Sequence, residues 1–314
     1  MKEFVLDETR LRTDEWLGTP PTDPAATVVV VTHDVVTHTP VGEADLRDTF
    51  GGLADQTTDD FELVVVSTRS DDLRRLLRDV GITCRFVEMT VDYGANAARN
   101  IGAALGRGDV VVFLDHDAIP APTFVEEHVR VHEEMDVVAV RGRLFVKTPS
   151  VYNHLQAIYD FGEGSFPYLL DHEANASLDR EVYLSVGGFD EDIWGHEGAE
   201  LTGRLLEVAD REQIRYVPGP VVYHDYAVSF WEVLEKKARH QRAKRVLKER
   251  DPETFAVYGL FPVPDGARSN GRWKSRVVMV ANRATEALGN LMAGYFQRRR
   301  DRRNEERESR PVRS

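Results

Sequence analysis

Residues 108–120, GDVVVFLDHDAIP, decide how the chain is read. Five consecutive apolar residues at 110–114 are β-branched or large, which suits a strand buried on both faces better than an amphipathic helix. The run ends in charge, with Asp115, His116 and Asp117, and Pro120 then stops the ladder. Open α/β sheets bind ligands at the C-terminal ends of their strands. Two carboxylates two positions apart at such an end can share one hard divalent cation through oxygen. An Asp-His-Asp triplet taken alone favours a turn in which Asp115 caps the next helix.

Working outward, the upstream sequence alternates strand and helix signals. Residues 27–31 are a short β-branched run ended by Thr32, His33 and Asp34. A helix is predicted over 43–54, a strand over 61–66 ending at Ser67, Thr68 and Arg69, a helix over 71–80 and a strand over 82–87. Such βαβα alternation implies a parallel sheet with helices on its faces. Residues 94–104 form a helix of small residues able to lie close to that sheet, with Arg99 and Asn100 projecting from its first turns. Arg99 there would hold the strand-end carboxylates or contact a phosphate, or make a plain structural ion pair. Downstream, the pattern predicts a helix over 122–135, a strand over 137–146, a helix over 152–161 and a mobile loop over 162–173. Helices over 179–186 and 197–208 follow, then a last strand over 214–223 with His224 and Asp225 at its end. Residues 1–26 are polar and read as a surface arm.

Composition bounds the function. With 314 residues and 42% hydrophobic content the chain can bury one large core or two lobes around one site. The excess of 53 Asp and Glu over 40 Lys and Arg argues against nucleic-acid binding, and its Arg-rich, Lys-poor character suits a protein working at high salt. Charge changes sign along the chain: residues 1–210 carry 17 basic and 40 acidic side chains, residues 211–314 carry 23 and 13. A lone cysteine, Cys84, excludes an intrachain disulfide and a thiolate metal cluster. The charged N-terminus lacks a signal-peptide core, and no apolar run is long enough to span a bilayer, so a cytoplasmic location is expected.

Three blocks in this order, GANAARNIGAALGRGDVVVFLDHD, SLDREVYLSVGGFDEDIWGHEGAELTGRL and VYHD, resemble the family 2 nucleotide-sugar glycosyltransferases of GT-A fold. The resemblance covers roughly residues 27–226. It implies a Rossmann-like mixed sheet with a nucleotide-sugar half over 27–120 and an acceptor half over 121–226. It further implies Mn²⁺ or Mg²⁺ held on the donor diphosphate by Asp115 and Asp117 with help from His224. Donor contacts would fall to Thr32, Asp34, Ser67, Thr68, Arg99, Asn100 and Asp115. Two positions depart from the family pattern. Ser67 and Thr68 replace an acidic pair that reads the base. The usual Glu-Asp before the late helix, whose Asp serves as base, is Glu197-Gly198 here. The resemblance therefore points to Glu197 as base, with Glu200 and Asp192 as alternatives. The chemistry implied is inverting transfer of a hexose or hexuronic acid from a UDP-linked sugar.

The rest is a basic helical region over 227–314. Residues 235–250 carry eight Lys or Arg, and 276–296 place an apolar stripe on one helical face beside the RRRDRR cluster at 298–303. That pattern fits a helix on an anionic membrane surface as well as one packed on the domain. The first reading gives a peripheral protein on the inner face of the membrane, a dolichol-phosphate-linked glycan acceptor and a role in haloarchaeal surface N-glycan assembly. Gly198 also leaves open a catalytically inactive sugar-nucleotide-binding scaffold. A nucleotidyltransferase lacks its Gly-rich phosphate loop here, and a dinucleotide oxidoreductase its GxGxxG.

Overall fold

The computed structural model describes residues 3–32, 40–68, 71–154, 160–265 and 267, with ten helical positions between 280 and 298. An edge strand, β1 (Leu11–Leu17), precedes a parallel unit of β2 (Ala26–Val31), β3 (Phe61–Ser67), β4 (Cys84–Met89) and β5 (Val110–Asp115). Helices α1 (Pro40–Ala54), α2 (Asp71–Val80) and α3 (Ala95–Leu105) make the crossovers. Strand β6 (Ile119–Pro120), helix α4 (Phe124–Glu134), strand β7 (Ala139–Phe145), helix α5 (Val151–His154) and strand β8 (Phe166–Pro167) follow. Then come β9 (Ala176–Asp179), α6 (Arg180–Ser185), α7 (Glu197–Leu205), β10 (Ile214–Tyr223), α8 (Phe230–Arg250), α9 (Pro252–Phe255) and α10 (Val257–Leu260). The strands form one mixed sheet in the order β1-β4-β3-β2-β5-β9-β7-β10-β6, with β8 on β10.

Strands β2 and β5 are buried almost throughout, as their continuous apolar runs require. Their parallel register sets Val31 beside Asp115, so the acidic strand end lies at the C-terminal edge of the parallel unit. Helix α3 reaches the sheet because of its small residues. A Cβ on Gly102 would lie 2.5 Å from a Val29 methyl. This close approach brings Asn96, Arg99 and Asn100 into buried positions.

Two sequence expectations change. The polar arm contributes β1, antiparallel to β4, where Asp14 accepts from Arg85 of β4; only Leu17 of its residues is buried, so no apolar period marks the strand. The sheet is mixed, as the family resemblance implies, because β9 inserts antiparallel between β5 and β7. The loop expected to be mobile over 162–173 is built into the core, with Tyr168, Leu169 and Leu170 buried. Fully buried Arg141 holds it, with Nε donating to Asp171 at 3.0 Å and the guanidinium over the rings of Phe161 and Tyr216. Tyr168 donates to the other Asp171 oxygen at 2.9 Å. The expected helix over 152–161 is observed only as α5, and 155–159 lie outside the described residues.

Strand β9 is short and depends on side chains. His128 on α4 bonds Ser177 at 2.8 Å and Asn175 at 3.0 Å, and burial pushes its pKa down to about 3, so it stays neutral. The Asn175 amide donates to the carbonyls of Arg143 and Pro220, and only a glycine at 142 leaves room for it.

Candidate active site

Asp115 ends β5, Asp117 follows in the turn, and His224 follows β10. Residue 224 reaches the same point because β10 runs parallel to β7, and the His224 backbone N–H continues that ladder onto the Phe145 carbonyl at 2.8 Å. The three side chains offer ligand atoms all within 4.8 Å of one another. Two carboxylates and an imidazole form a donor set able to hold a divalent cation. His224 Nε2 lies 3.4 Å from Asp117. Burial alone would lower the His224 pKa, but the Asp117 carboxylate outweighs it and raises the value. Burial acts on Asp117 in the opposite sense, and His224 with its hydrogen bond holds that carboxyl well below the usual range. Each partner therefore favours the charge of the other.

Arg99 forms the next layer. Its Nη2 donates to Asp115 at 3.0 Å, its Nη1 donates to Asn96 at 3.2 Å, and Glu197 lies 3.9 Å away. Burial disfavours the cation, but Asp115, Glu173 and Glu197 together reverse the effect and raise the Arg99 pKa. One guanidinium thus faces three carboxylates, leaving a pocket with surplus negative charge to receive a cation.

The loop that delivers Glu197 is fixed from α3. Asn96 donates to the carbonyls of Asp190 and Ile193, both at 2.8 Å. Gly195 adopts φ +96°, and His196 follows in the left-handed region at φ 69°. That conformation is uncommon for a non-glycine residue. Tyr258 holds the His196 ring at 2.5 Å. Glu197 then opens α7, with one oxygen accepting from the Gly195 N–H at 2.5 Å.

The structure therefore brings together Asp115, Asp117, His224, Arg99 and Glu197. Three other residues named from the sequence point elsewhere. Glu200 forks onto Arg204 at 2.7 and 2.5 Å, Asp192 is exposed, and Asn100 is committed to the turn before the loop. The Asn100 amide donates to the Phe189 carbonyl at 2.9 Å and accepts from the Phe189 N–H at 2.8 Å, with Tyr183 on the same oxygen. Thr32 and Ser67 are buried at the ends of β2 and β3, Thr68 is half-buried, and Asp34 lies outside the described residues. Sequence reasoning missed Glu173, which the 3-10 turn Glu173–Asn175 places beside Arg99 and Glu197.

Fold and site together define a mixed α/β architecture with an acidic cluster at the strand ends, and comparison with known proteins places the chain in a family. The model of glycosyl transferase family 2 matches residues 27–188, just over half of the 314 residues, and the chain belongs to this family. A glucosyl-dolichyl phosphate glucuronosyltransferase of Haloferax volcanii is 31% identical over 159 residues, 46% of this chain and 50% of that protein. A pre-mycofactocin glycosyltransferase of Mycobacterium tuberculosis is 29% identical over 174 residues, 52% of this chain and 37% of that protein. A validoxylamine A glucosyltransferase of Streptomyces hygroscopicus is 28% identical over 223 residues, 58% of this chain and 49% of that protein. The chain thus spans half or less of the length of these relatives. The fold matches a mannosyltransferase from Pyrobaculum calidifontis in complex with GDP-Man and Mn²⁺, with TM-score 0.52 at 17% identity over 90% of this chain and 88% of that one. It also matches TarS of S. aureus, with TM-score 0.51 at 12% identity over 87% and 91%.

Proposed function

We propose that the chain is an inverting glycosyltransferase that moves a hexose or hexuronic acid from a UDP-linked sugar to a hydroxyl of a growing, dolichol-phosphate-linked glycan. The observation that carries this is the Asp115–Asp117–His224 cluster at the C-terminal edge of the parallel unit in a family 2 chain. A divalent cation bound there supplies Lewis-acid stabilisation of the departing diphosphate. Asp115, Asp117 and His224 would hold it, while Arg99 fixes Asp115 through its Nη2. Ser67 and Thr68, at the end of β3, present hydroxyls to the nucleobase in this reading. A carboxylate on the α7 side of the pocket, where Glu197 lies, takes the proton of the acceptor hydroxyl. Titration of UDP, GDP and ADP in the presence of Mn²⁺ tests the donor assignment. UDP is expected to bind at least about tenfold tighter than the others, a difference of about 1.4 kcal/mol. Binding of none of them would remove the reading.

The lipid-linked acceptor is proposed from the name of the Haloferax relative and from the C-terminal surface. Among the described residues no helix is long and apolar enough to cross a membrane. Met292 packs on Leu234 and Ala238 of α8, whereas Val280, Leu288, Leu291 and Tyr295 are exposed. Phe230 and Trp231 are exposed at the start of the same basic helix. Such a face would lie on an anionic leaflet. Flotation with vesicles containing acidic phospholipid should carry the protein up, and equal recovery with neutral vesicles would count against the electrostatic part of this proposal.

A further inference from the structure

Glu173 has no task in the reading above. It stands directly before β9, so the strand that lies against β5 also carries this carboxylate to the pocket. Its Oε1 accepts from the backbone N–H of Gly198, in the first turn of α7, at 3.0 Å. Glycine at 198 is what admits it. A Cβ there would lie 2.8 Å from Glu173 Oε1 and 2.5 Å from the Leu170 carbonyl oxygen, so a side chain would displace the carboxylate or strike the backbone.

The neighbouring carboxylates are already engaged. Asp115 is held by Arg99, Asp117 by His224 and Glu200 by Arg204. Glu197 accepts from Gly195 with one oxygen and faces Arg99 with the other. Glu173 differs, since Asp115, Asp117, Glu197 and Glu200 are each ion-paired with an arginine or histidine, whereas among the described residues no cationic side chain is ion-paired with Glu173, which is only partly buried. A carboxyl group without a paired cation is the stronger proton acceptor.

We propose that Glu173 is the general base of the transfer, with Glu197 acting as a positioning residue for Arg99 and for the loop over 190–196. The proposal rests on the transferase reading and names the group within it that touches the acceptor. The acceptor O–H proton passes to Glu173 Oε2 as the acceptor oxygen bonds to the anomeric carbon. The bond from that carbon to the diphosphate oxygen breaks, and its electron pair leaves with the nucleoside diphosphate. The surroundings favour this role. Burial, and then the repulsion of Glu197, push the Glu173 carboxyl up to about 8 against the opposing pull of Arg99. Two adjacent carboxyl groups in unlike environments divide into a strong proton acceptor and an ionised partner.

The test compares steady-state kinetics of the full chain with those of its Glu173→Gln, Glu173→Asp and Glu197→Gln variants, using a donor that the wild type turns over. In Glu173→Gln the amide oxygen of the new side chain can still accept from the Gly198 N–H, so the fold is preserved. Glu173→Gln should lower kcat at least about 10²-fold, with donor KM and nucleotide Kd changed by no more than about twofold. Glu173→Asp should recover part of that loss. Retention of kcat within about threefold in Glu173→Gln would overturn the assignment, and so would a parallel loss of nucleotide binding and kcat, which marks a structural role. Loss in Glu197→Gln with an active Glu173→Gln would return the base to Glu197. An inactive wild type removes the transferase reading itself, whereas an active wild type with an active Glu173→Gln removes only this inference.

Discussion

Asp117→Ala is expected to lower metal-dependent release of nucleoside diphosphate at least about 10²-fold, with little change in the unfolding midpoint. Asp117 is one of three ligand-bearing side chains that converge within 4.8 Å, and its loss leaves Asp115 and His224. Removing one preorganised electrostatic contact to a departing anion costs on the order of 10²–10³ in kcat. Stability should change little because the Asp117 side chain is 39% exposed and lies in a turn outside the apolar clusters. Initial rates with and without Mn²⁺, beside a urea titration, check both halves. Rates within about threefold of wild type would mean that the cluster does not serve the reaction.

Phe113→Ala should have the largest effect on stability, about 3–5 kcal/mol. Phe113 is fully buried in β5, with ring centroids 5.4 Å from Tyr183 and 5.3 Å from Phe189. The cavity has little prospect of collapsing, because Tyr183 and Phe189 are both tied to Asn100 by hydrogen bonds. The same contacts join the strand that presents Asp115 to the turn that leads to Glu197. Stability and site geometry therefore share one cluster, and the variant should lose turnover even where it remains folded. Equilibrium denaturation of both proteins measures the difference. A loss below about 1 kcal/mol would show that the surroundings close over the missing ring.

The parts of the fold legible in the sequence are those whose local pattern agrees with their burial. Residues 110–114 read as a two-sided buried strand because every position is apolar, and 94–104 read as a close-packed helix because its residues are small. Strand β10 is observed over the span that its sequence predicts. Other elements depend on distant partners. Four residues of β9 form a strand only between β5 and β7, braced by His128 and Asn175. Residues 160–171 are ordered by Arg141 and Asp171, a pairing that no local period displays.

The site divides in the same way. Asp115, Asp117 and His224 are legible because they follow recognisable strands. Glu173 is hidden in a segment whose sequence reads as a mobile loop. A signal is present in Gly198, since a glycine in the first turn of a helix, where acidic side chains are favoured, invites the question of what occupies its space.

The most direct measurement incubates the full chain in molar salt with Mn²⁺, a membrane lipid extract and a panel of nucleotide sugars that includes UDP-glucose, UDP-glucuronate and GDP-mannose. Released nucleoside diphosphate and sugar in the lipid fraction are followed together. The account predicts equimolar appearance of the two from a UDP-linked donor, abolished by a chelator. Nucleotide binding with no turnover of any donor would contradict it and leave a sugar-nucleotide-binding scaffold on the same fold.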